Sequence, residues 1–337
     1  MWNLLRPLLF SLPPETAHAL ALRMIQFIGW SPLAKKTVKR LYASQGKPIK
    51  LWGLNFNNQV GLAAGWDKDA RAIHGLSAFG FGHVEVGTVT PNPQSGKKKP
   101  RIFRLSKDEA LINRMGFPSK GENYVADQIL YKPRDIVIGV NIGKNSDTPN
   151  EEAYVDYCTL LTRFATLADY LVINISSPNT VGLRDLQTRN HLEDLLDKLL
   201  NVRQDMSSEK QRKIPLLVKL SPDLSDQQLD DVVGIILDKK MDGIVATNTT
   251  LSRDNLTSRQ KNEIGGASGK ILTLQSRETL KKIVDRTGGN LPIISVGGIM
   301  DSDEAKRRID MGASLVQLYT GFVYHGPKLI KQINEEI

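Results

Sequence analysis

The sequence predicts an α/β fold: a (β/α)8 TIM barrel with a small N-terminal helical extension. Three observations point to it. Eight short apolar, β-branched runs recur along the 337 residues. Helical patterns with recognisable start signals lie between most of them. No Gly-x-Gly-x-x-Gly follows an opening strand, as an open dinucleotide-binding sheet would require. The length accommodates one such barrel plus an appendage, and 40% hydrophobic with 24% charged residues is ordinary globular composition.

The eight runs are Val60–Ala63, Val84–Val89, Ile136–Ile142, Tyr170–Ile175, Leu216–Leu220, Gly243–Thr247, Pro292–Val296 and Leu315–Tyr319. Most are continuously apolar rather than alternating, as expected of parallel strands covered on both faces. Ser225 is a good N-cap for the helix that begins at Asp226, Asn190–Val202 has apolar residues at helical spacing, and the segment from Ser302 opens with acidic residues that suit a helix start. Residues 91–119 break the pattern. They carry Pro91, Pro93, Pro100 and a basic run at 97–99, with strand-like Arg101–Leu105 and Ala110–Ile112. They read as an insertion between the second and third strands, a hairpin over the barrel mouth, and long loops in compact domains are usually functional.

Cys158 is the single cysteine, so an intrachain disulfide and a cysteine-based zinc site are excluded, and a reducing compartment suits the chain. The longest uncharged stretch near the N-terminus, Met24 to Ala34, is too short to cross a bilayer and contains Gly29 and Pro32. No segment reads as a cleavable signal. The expectation is a protein that is soluble or rests on a membrane surface. Net charge is +9, and residues 1–50 hold eight basic residues against Glu15 alone, or +7 of it. That segment also contains the strongly apolar stretches 3–10 and 17–30. A nucleic-acid arm would be more polar, so no nucleic acid is expected. Basic, apolar and helical together fit an interfacial amphipathic element, and fit equally a helix packed on its own domain with a solvated basic face. The expected division is 1–45 for the extension and 46–337 for the barrel.

In such barrels the active site lies at the C-terminal ends of the strands. The residues that follow the eight runs include Ala64-Gly65-Trp66-Asp67-Lys68, Thr88, Asn141, Asn174 to Thr180, Lys219, Thr247-Asn248-Thr249, Gly297-Gly298 and Tyr319-Thr320-Gly321. The set is rich in Asn, Thr, Lys and Gly. It lacks His and has few carboxylates, which argues against a metal site and against paired-carboxylate hydrolysis. Asn and Thr can read the amides of a flat heterocycle, lysines pair with anions, and the glycines after the seventh and eighth strands fit the phosphate site that these barrels build there. Singly, each of these residues could be no more than a turn former; eight strand ends that agree imply a phosphorylated aromatic cofactor, which FMN fits, and a small polar anion.

Gly61-Leu-Ala-Ala-Gly-Trp-Asp-Lys68, Glu85-Val-Gly-Thr-Val-Thr-Pro91, Ile112-Asn-Arg-Met-Gly-Phe117, Asn141-Ile-Gly-Lys-Asn145, Asn174-Ile-Ser-Ser-Pro-Asn-Thr180, Ala246-Thr-Asn-Thr-Thr250 and Ser295-Val-Gly-Gly-Ile299 resemble class 2 dihydroorotate dehydrogenases of the bacterial type, the quinone-linked flavoenzymes of pyrimidine synthesis. The resemblance spans essentially the whole chain. Trp66 stands where Leu is usual, and Pro118-Ser119 stand where Asn-Asn or Asn-Ser is usual.

The resemblance implies one FMN per chain and oxidation of (S)-dihydroorotate to orotate. Ser177 would take the C5 proton, with Thr180 as a relay partner, while a hydride passes to flavin N5. Cys158 lies too far before the motif to take the role that a cysteine has in class 1. Substrate would meet Lys68, Asn113, Arg114, Met115, Gly116, Phe117, Asn174, Asn179, Asn248 and Thr249. FMN would meet Ala64, Gly65, Trp66, Asp67, Lys68, Thr88, Asn141, Asn174, Lys219, Thr247, Gly269, Gly298, Tyr319 and Thr320. Ubiquinone or menaquinone would arrive through the N-terminal helices, past His18, Arg104 and Tyr319. A peripheral monomer on the cytoplasmic face of the inner membrane is implied. For each of these residues a bland role stands beside the functional one: loop capping for the asparagines, a turn hydroxyl for Ser177, a packed helix position for His18. Two other classes remain open: a tRNA-reducing flavin barrel, which would use a cysteine acid, and a colourless phosphate-binding lyase or isomerase.

Overall fold

The structure, a computed structural model, describes residues 2–44, 46–210 and 213–337. Among them, eight parallel strands close a barrel: β1 (Val60–Leu62), β2 (His83–Val89), β3 (Val137–Ile142), β4 (Tyr170–Asn174), β5 (Leu216–Leu220), β6 (Gly243–Ala246), β7 (Ile293–Val296) and β8 (Leu315–Leu318). β8 closes on β1 with Val316 opposite Val60 and Leu318 opposite Leu62. These are the eight apolar runs. Every residue in them is buried, because helices cover the outside and side chains fill the inside.

The helix starts follow the local chemistry. Ser225 and Gln228 form a reciprocal capping box on Asp226–Asp238. Asp301 caps Ser302–Asp310 by accepting from the Glu304 amide. The helical stretch at 190–202 lies within Arg189–Lys210.

Two features were not foreseen. A hairpin, Ile49–Leu51 paired with Leu54–Phe56, closes the N-terminal end of the barrel, where Trp52 packs 5.9 Å from the Tyr170 ring and Phe56 packs 5.7 Å from His83. The insertion does form a hairpin, Ile102–Leu105 with Ala110–Asn113. A third strand, Gly266–Gly269, joins it from a distant part of the chain.

The extension comprises α1 (Trp2–Ser11), α2 (Pro14–Trp30) and α3 (Pro32–Tyr42). The expected boundary at residue 45 falls on a residue outside those described. α2 packs against the short helix Ile73–Leu76 at very close range: a Cβ on Gly75 would sit 1.9 Å from the Ile25 carbonyl oxygen, and one on Gly29 would sit 2.5 Å from the Gly75 nitrogen. Only glycine permits that approach. Trp2 Nε1 and Arg6 Nη1 both donate to the Tyr324 carbonyl, at 2.9 and 3.2 Å. One side of the extension is therefore packed on its own domain. The other side is not: Leu8, Phe27, Trp30 and Leu33 are exposed, Trp30 at 84%. The packed reading therefore holds on one face, and the other face leaves apolar side chains uncovered. No helix among the described residues is long and apolar enough to cross a membrane.

Candidate active site

The C-terminal strand ends line a cavity that opens to solvent. Its lining includes two lysines and no acidic side chain. Lys219, on β5, is nearly fully buried; its Nζ lies 3.6 Å from Glu85 Oε1. Glu85 also accepts from Asn141 Nδ2 and from Gln317 Nε2, each at 2.8 Å. This buried carboxylate organises a polar floor beneath the cavity, and its partners satisfy a charge that would otherwise be costly to bury. Above the floor the asparagines interlock. Asn174 Nδ2 donates to Thr88 Oγ1 and Asn141 Oδ1, both at 2.9 Å. Asn248 Nδ2 donates to Asn174 Oδ1 at 3.3 Å and to Ser176 Oγ at 3.0 Å. Asn179 Nδ2 donates to Asn113 Oδ1 at 3.2 Å. Such a network fixes the orientation of each amide.

At one end the backbone turns through Gly297 and Gly298, both at positive φ, while Thr320 opens a short helix whose first turn carries Gly321. A Cβ on Gly321 would meet the Ile299 carbonyl oxygen at 2.2 Å. This is the glycine-lined cradle expected of the last two loops. At the other end the half-buried Lys68 donates from Nζ to the Gly65 carbonyl at 2.5 Å. Burial, chiefly, pulls its pKa down to about 8. Ser177 Oγ, buried, accepts from the Asn179 amide at 3.3 Å. A phosphate cradle at one end, a half-buried lysine at the other and amides between suit two anions, one with a flat ring system; the donor set fits FMN beside a carboxylated substrate.

A second cavity lies between α1, α2 and the barrel. It is apolar, lined by residues such as Leu9, Ala21, Ile25, Phe79 and Phe322. His18 and Arg104 are at its wall. Burial and then the Lys68 charge lower the His18 pKa to about 4, so its imidazole is neutral. Arg104 Nη1 donates to the Phe10 carbonyl at 2.8 Å, with its guanidinium 4.2 Å from the Phe10 ring centroid. Among the described residues only Lys68 and Tyr319 line both cavities. Burial pushes the Tyr319 hydroxyl up to about 12.

Most of the expected residues converge on the first cavity: Ala64, Gly65, Lys68, Thr88, Asn113, Met115, Gly116, Phe117, Asn174, Ser177, Asn179, Lys219, Thr247, Asn248, Thr249, Gly269, Gly298, Tyr319 and Thr320 all line it. Four do not. Trp66 turns its side chain to the apolar cavity, stacking edge-on to His18 at 5.2 Å and packing on Phe322. Asp67 spends its carboxylate on the Arg71 and Ala72 amides, at 2.9 and 2.7 Å, and burial pushes its pKa up to about 6. Arg114 points outward to Glu263 Oε2 at 2.7 Å and over the Phe103 ring. Asn141 is in the floor, one layer below. Thr180 Oγ1 is buried without a partner and makes no bond to Ser177. Ser119 Oγ accepts from the Thr90 and Gly121 amides, so the departure at 118–119 serves the loop itself. The sequence reading missed Gln317 and Ser268, which also line the cavity. Gln317 had a signal, a polar residue inside an otherwise apolar strand.

Fold and site together define a (β/α)8 barrel with a glycine-lined turn, an amide-lined cavity and a neighbouring apolar one. The comparisons place it more closely. The profile of the family "Dihydroorotate dehydrogenase" matches residues 48–337. A Christiangramia forsetii protein named "Dihydroorotate dehydrogenase (quinone)" is 45% identical over 337 residues, covering 99% of this chain and 98% of its own. A protein of the same name from Idiomarina loihiensis is 46% identical, covering 99% of each. The solved Eimeria tenella DHODH in complex with ferulenol superposes with a TM-score of 0.87 at 37% identity, covering 98% of this chain and 93% of its own. The chain belongs to the dihydroorotate dehydrogenase family.

Proposed function

We propose that the chain oxidises (S)-dihydroorotate to orotate and passes the electrons to a quinone. The observation that carries this reading is the pair of cavities with opposite chemistry, one cationic and amide-lined, the other apolar, meeting at Lys68 and Tyr319. Two substrates that differ in solubility need two such sites.

Lys68 holds the substrate carboxylate as a charge-assisted partner. Asn113, Asn174, Asn179 and Asn248 present donors and acceptors to the pyrimidine ring, already oriented by their mutual bonds. Ser177 takes the C5 proton. A serine is a weak base, so as it takes the C5 proton its own must pass on to solvent; Thr180 is the relay assigned to that transfer, and it would have to turn its unpartnered hydroxyl towards Ser177 and hand on its own proton. Lys219 and the Gly297–Gly298 and Thr320–Gly321 backbone hold FMN. When bound, FMN supplies the hydride acceptor and the store of electrons that the quinone collects. Cation placement at Lys219 favours a reduced, negatively charged ring. His18, Arg104 and Tyr319 border the quinone site.

Residues 1–45 form the quinone-admitting and membrane-associating element. The exposed Phe27, Trp30 and Leu33, with Lys35, Lys36 and Arg40 alongside on α3, fit a peripheral contact with an anionic surface. A monomer on the cytoplasmic face of the cell membrane, using ubiquinone or menaquinone, is the reading these features support. The purified protein should be yellow and should reduce a quinone only when dihydroorotate is supplied. A colourless protein, or a bound flavin that dihydroorotate does not bleach, would sink the proposal.

A further inference from the structure

A third hollow opens beside the other two, between α2 and the segments 94–102 and 115–120. It shares Lys68 and Met115 with the amide-lined cavity. Its charged lining is strongly one-sided: Arg23, Arg71, Lys99, Arg101, Lys120 and Lys68 against Glu15 and Asp69. Glu15 is already engaged by Arg101 at 2.8 Å and Lys99 at 3.4 Å, and Asp69 accepts from the Lys120 amide at 3.0 Å. Arg71 reaches Gln26 at 3.3 Å rather than a carboxylate, and Arg23 is exposed. The net positive field therefore faces the hollow. The apolar cavity adjoins this hollow at Pro14, His18, Lys68 and Ile102, and its otherwise apolar lining suits no anion. Within two residues α2 presents Ala19 to the cationic hollow and Ala21 to the apolar cavity.

We propose that this cationic groove is the route by which the carboxylated substrate enters and its product leaves, with α2 as the partition between that route and the quinone's. The inference rests on the proposed function above. A groove of one sign, walled by protein, concentrates an oppositely charged ligand and raises its association rate, and the effect fades with salt. Lys68 then receives the carboxylate at the inner end, so the last cation on the path is also the binding partner.

The test is stopped-flow binding of orotate to the oxidised holoenzyme, followed by the flavin absorbance change. Ala19→Trp narrows the groove from an exposed position on α2. It should slow association and dissociation of orotate by the same factor and leave the dissociation constant unchanged, the signature of an obstructed path rather than a damaged site. Ala21→Trp should leave the orotate rates alone and slow flavin reoxidation by quinone. Arg23→Glu combined with Arg71→Glu should lower the orotate association rate about ten-fold at low ionic strength, with the difference closing at high salt and the dissociation rate little changed. Unaltered orotate rates in Ala19→Trp and in the charge-reversal variant would overturn the route. Unaltered orotate rates with weakened binding to anionic vesicles in the charge-reversal variant would assign the groove to lipid headgroups instead. Failure of dihydroorotate to bleach the unmodified holoenzyme is a separate result, and it would overturn the function rather than the path.

Discussion

At the scale of single residues, the proposed chemistry divides between Ser177 and the two lysines. Ser177→Ala should keep FMN and orotate binding but slow flavin reduction at least about a hundred-fold, the usual scale for a general base; rapid-mixing bleaching checks it, and near-normal reduction would move the base elsewhere. Ser177→Cys should retain some activity, more at high pH where a thiolate forms. Lys68 carries a pH signature. Its pKa in the unliganded site is lowered to about 8 by burial, so it is charged below that value and loses its proton above it. The orotate dissociation constant should then rise by about ten-fold per pH unit above roughly 8, and Lys68→Arg should abolish that dependence in titrations followed by flavin absorbance. Lys219→Ala should instead change flavin content and potential. The same defect in both lysine variants would contradict the division of roles. Residue types were legible here because polar groups in apolar strands stand out. The directions of Trp66 and Asp67 were not: they follow Gly65, at positive φ, and the chain there turns Trp66 to the apolar cavity and Asp67 to the Arg71 and Ala72 amides.

At the scale of elements, the barrel strands were legible because two-sided burial leaves continuous apolar runs, and the helix at Asp226 because its cap is local. Gly266–Gly269 was illegible. It has no β-branched or aromatic residue and becomes a strand only by pairing with Ala110–Asn113, about 155 residues away in sequence. The hairpin at Ile49–Phe56 was overlooked because each of its strands is only three residues long. The packing of α2 on Ile73–Leu76 yields a prediction. Gly75→Ala places a methyl 1.9 Å from the Ile25 carbonyl oxygen, so α2 must shift. A loss of about 1–3 kcal/mol of stability is expected, measurable by denaturant unfolding. Reoxidation by quinone should suffer more than reduction by dihydroorotate, because α2 walls the apolar cavity while the residues assigned to reduction lie on the barrel.

At the scale of the whole molecule, a cationic polar cavity, an apolar cavity and an exposed basic-apolar surface are arranged in series, so that a water-soluble anion and a membrane-soluble quinone approach the same point from different sides. The intact protein should bind anionic vesicles, more weakly at high salt but not negligibly, since each basic residue near the surface contributes about 1 kcal/mol at most and apolar insertion is unscreened; sedimentation with vesicles checks this. The most direct test of the two-sided account is anaerobic double-mixing stopped-flow on the intact chain and on a soluble, monodisperse form lacking residues 1–45. The account predicts that dihydroorotate at saturation bleaches the flavin of both, whereas a long-chain quinone in detergent restores the colour of the intact chain far faster than that of the truncated one. Equal rates of recolouring would show that the extension is not the quinone site.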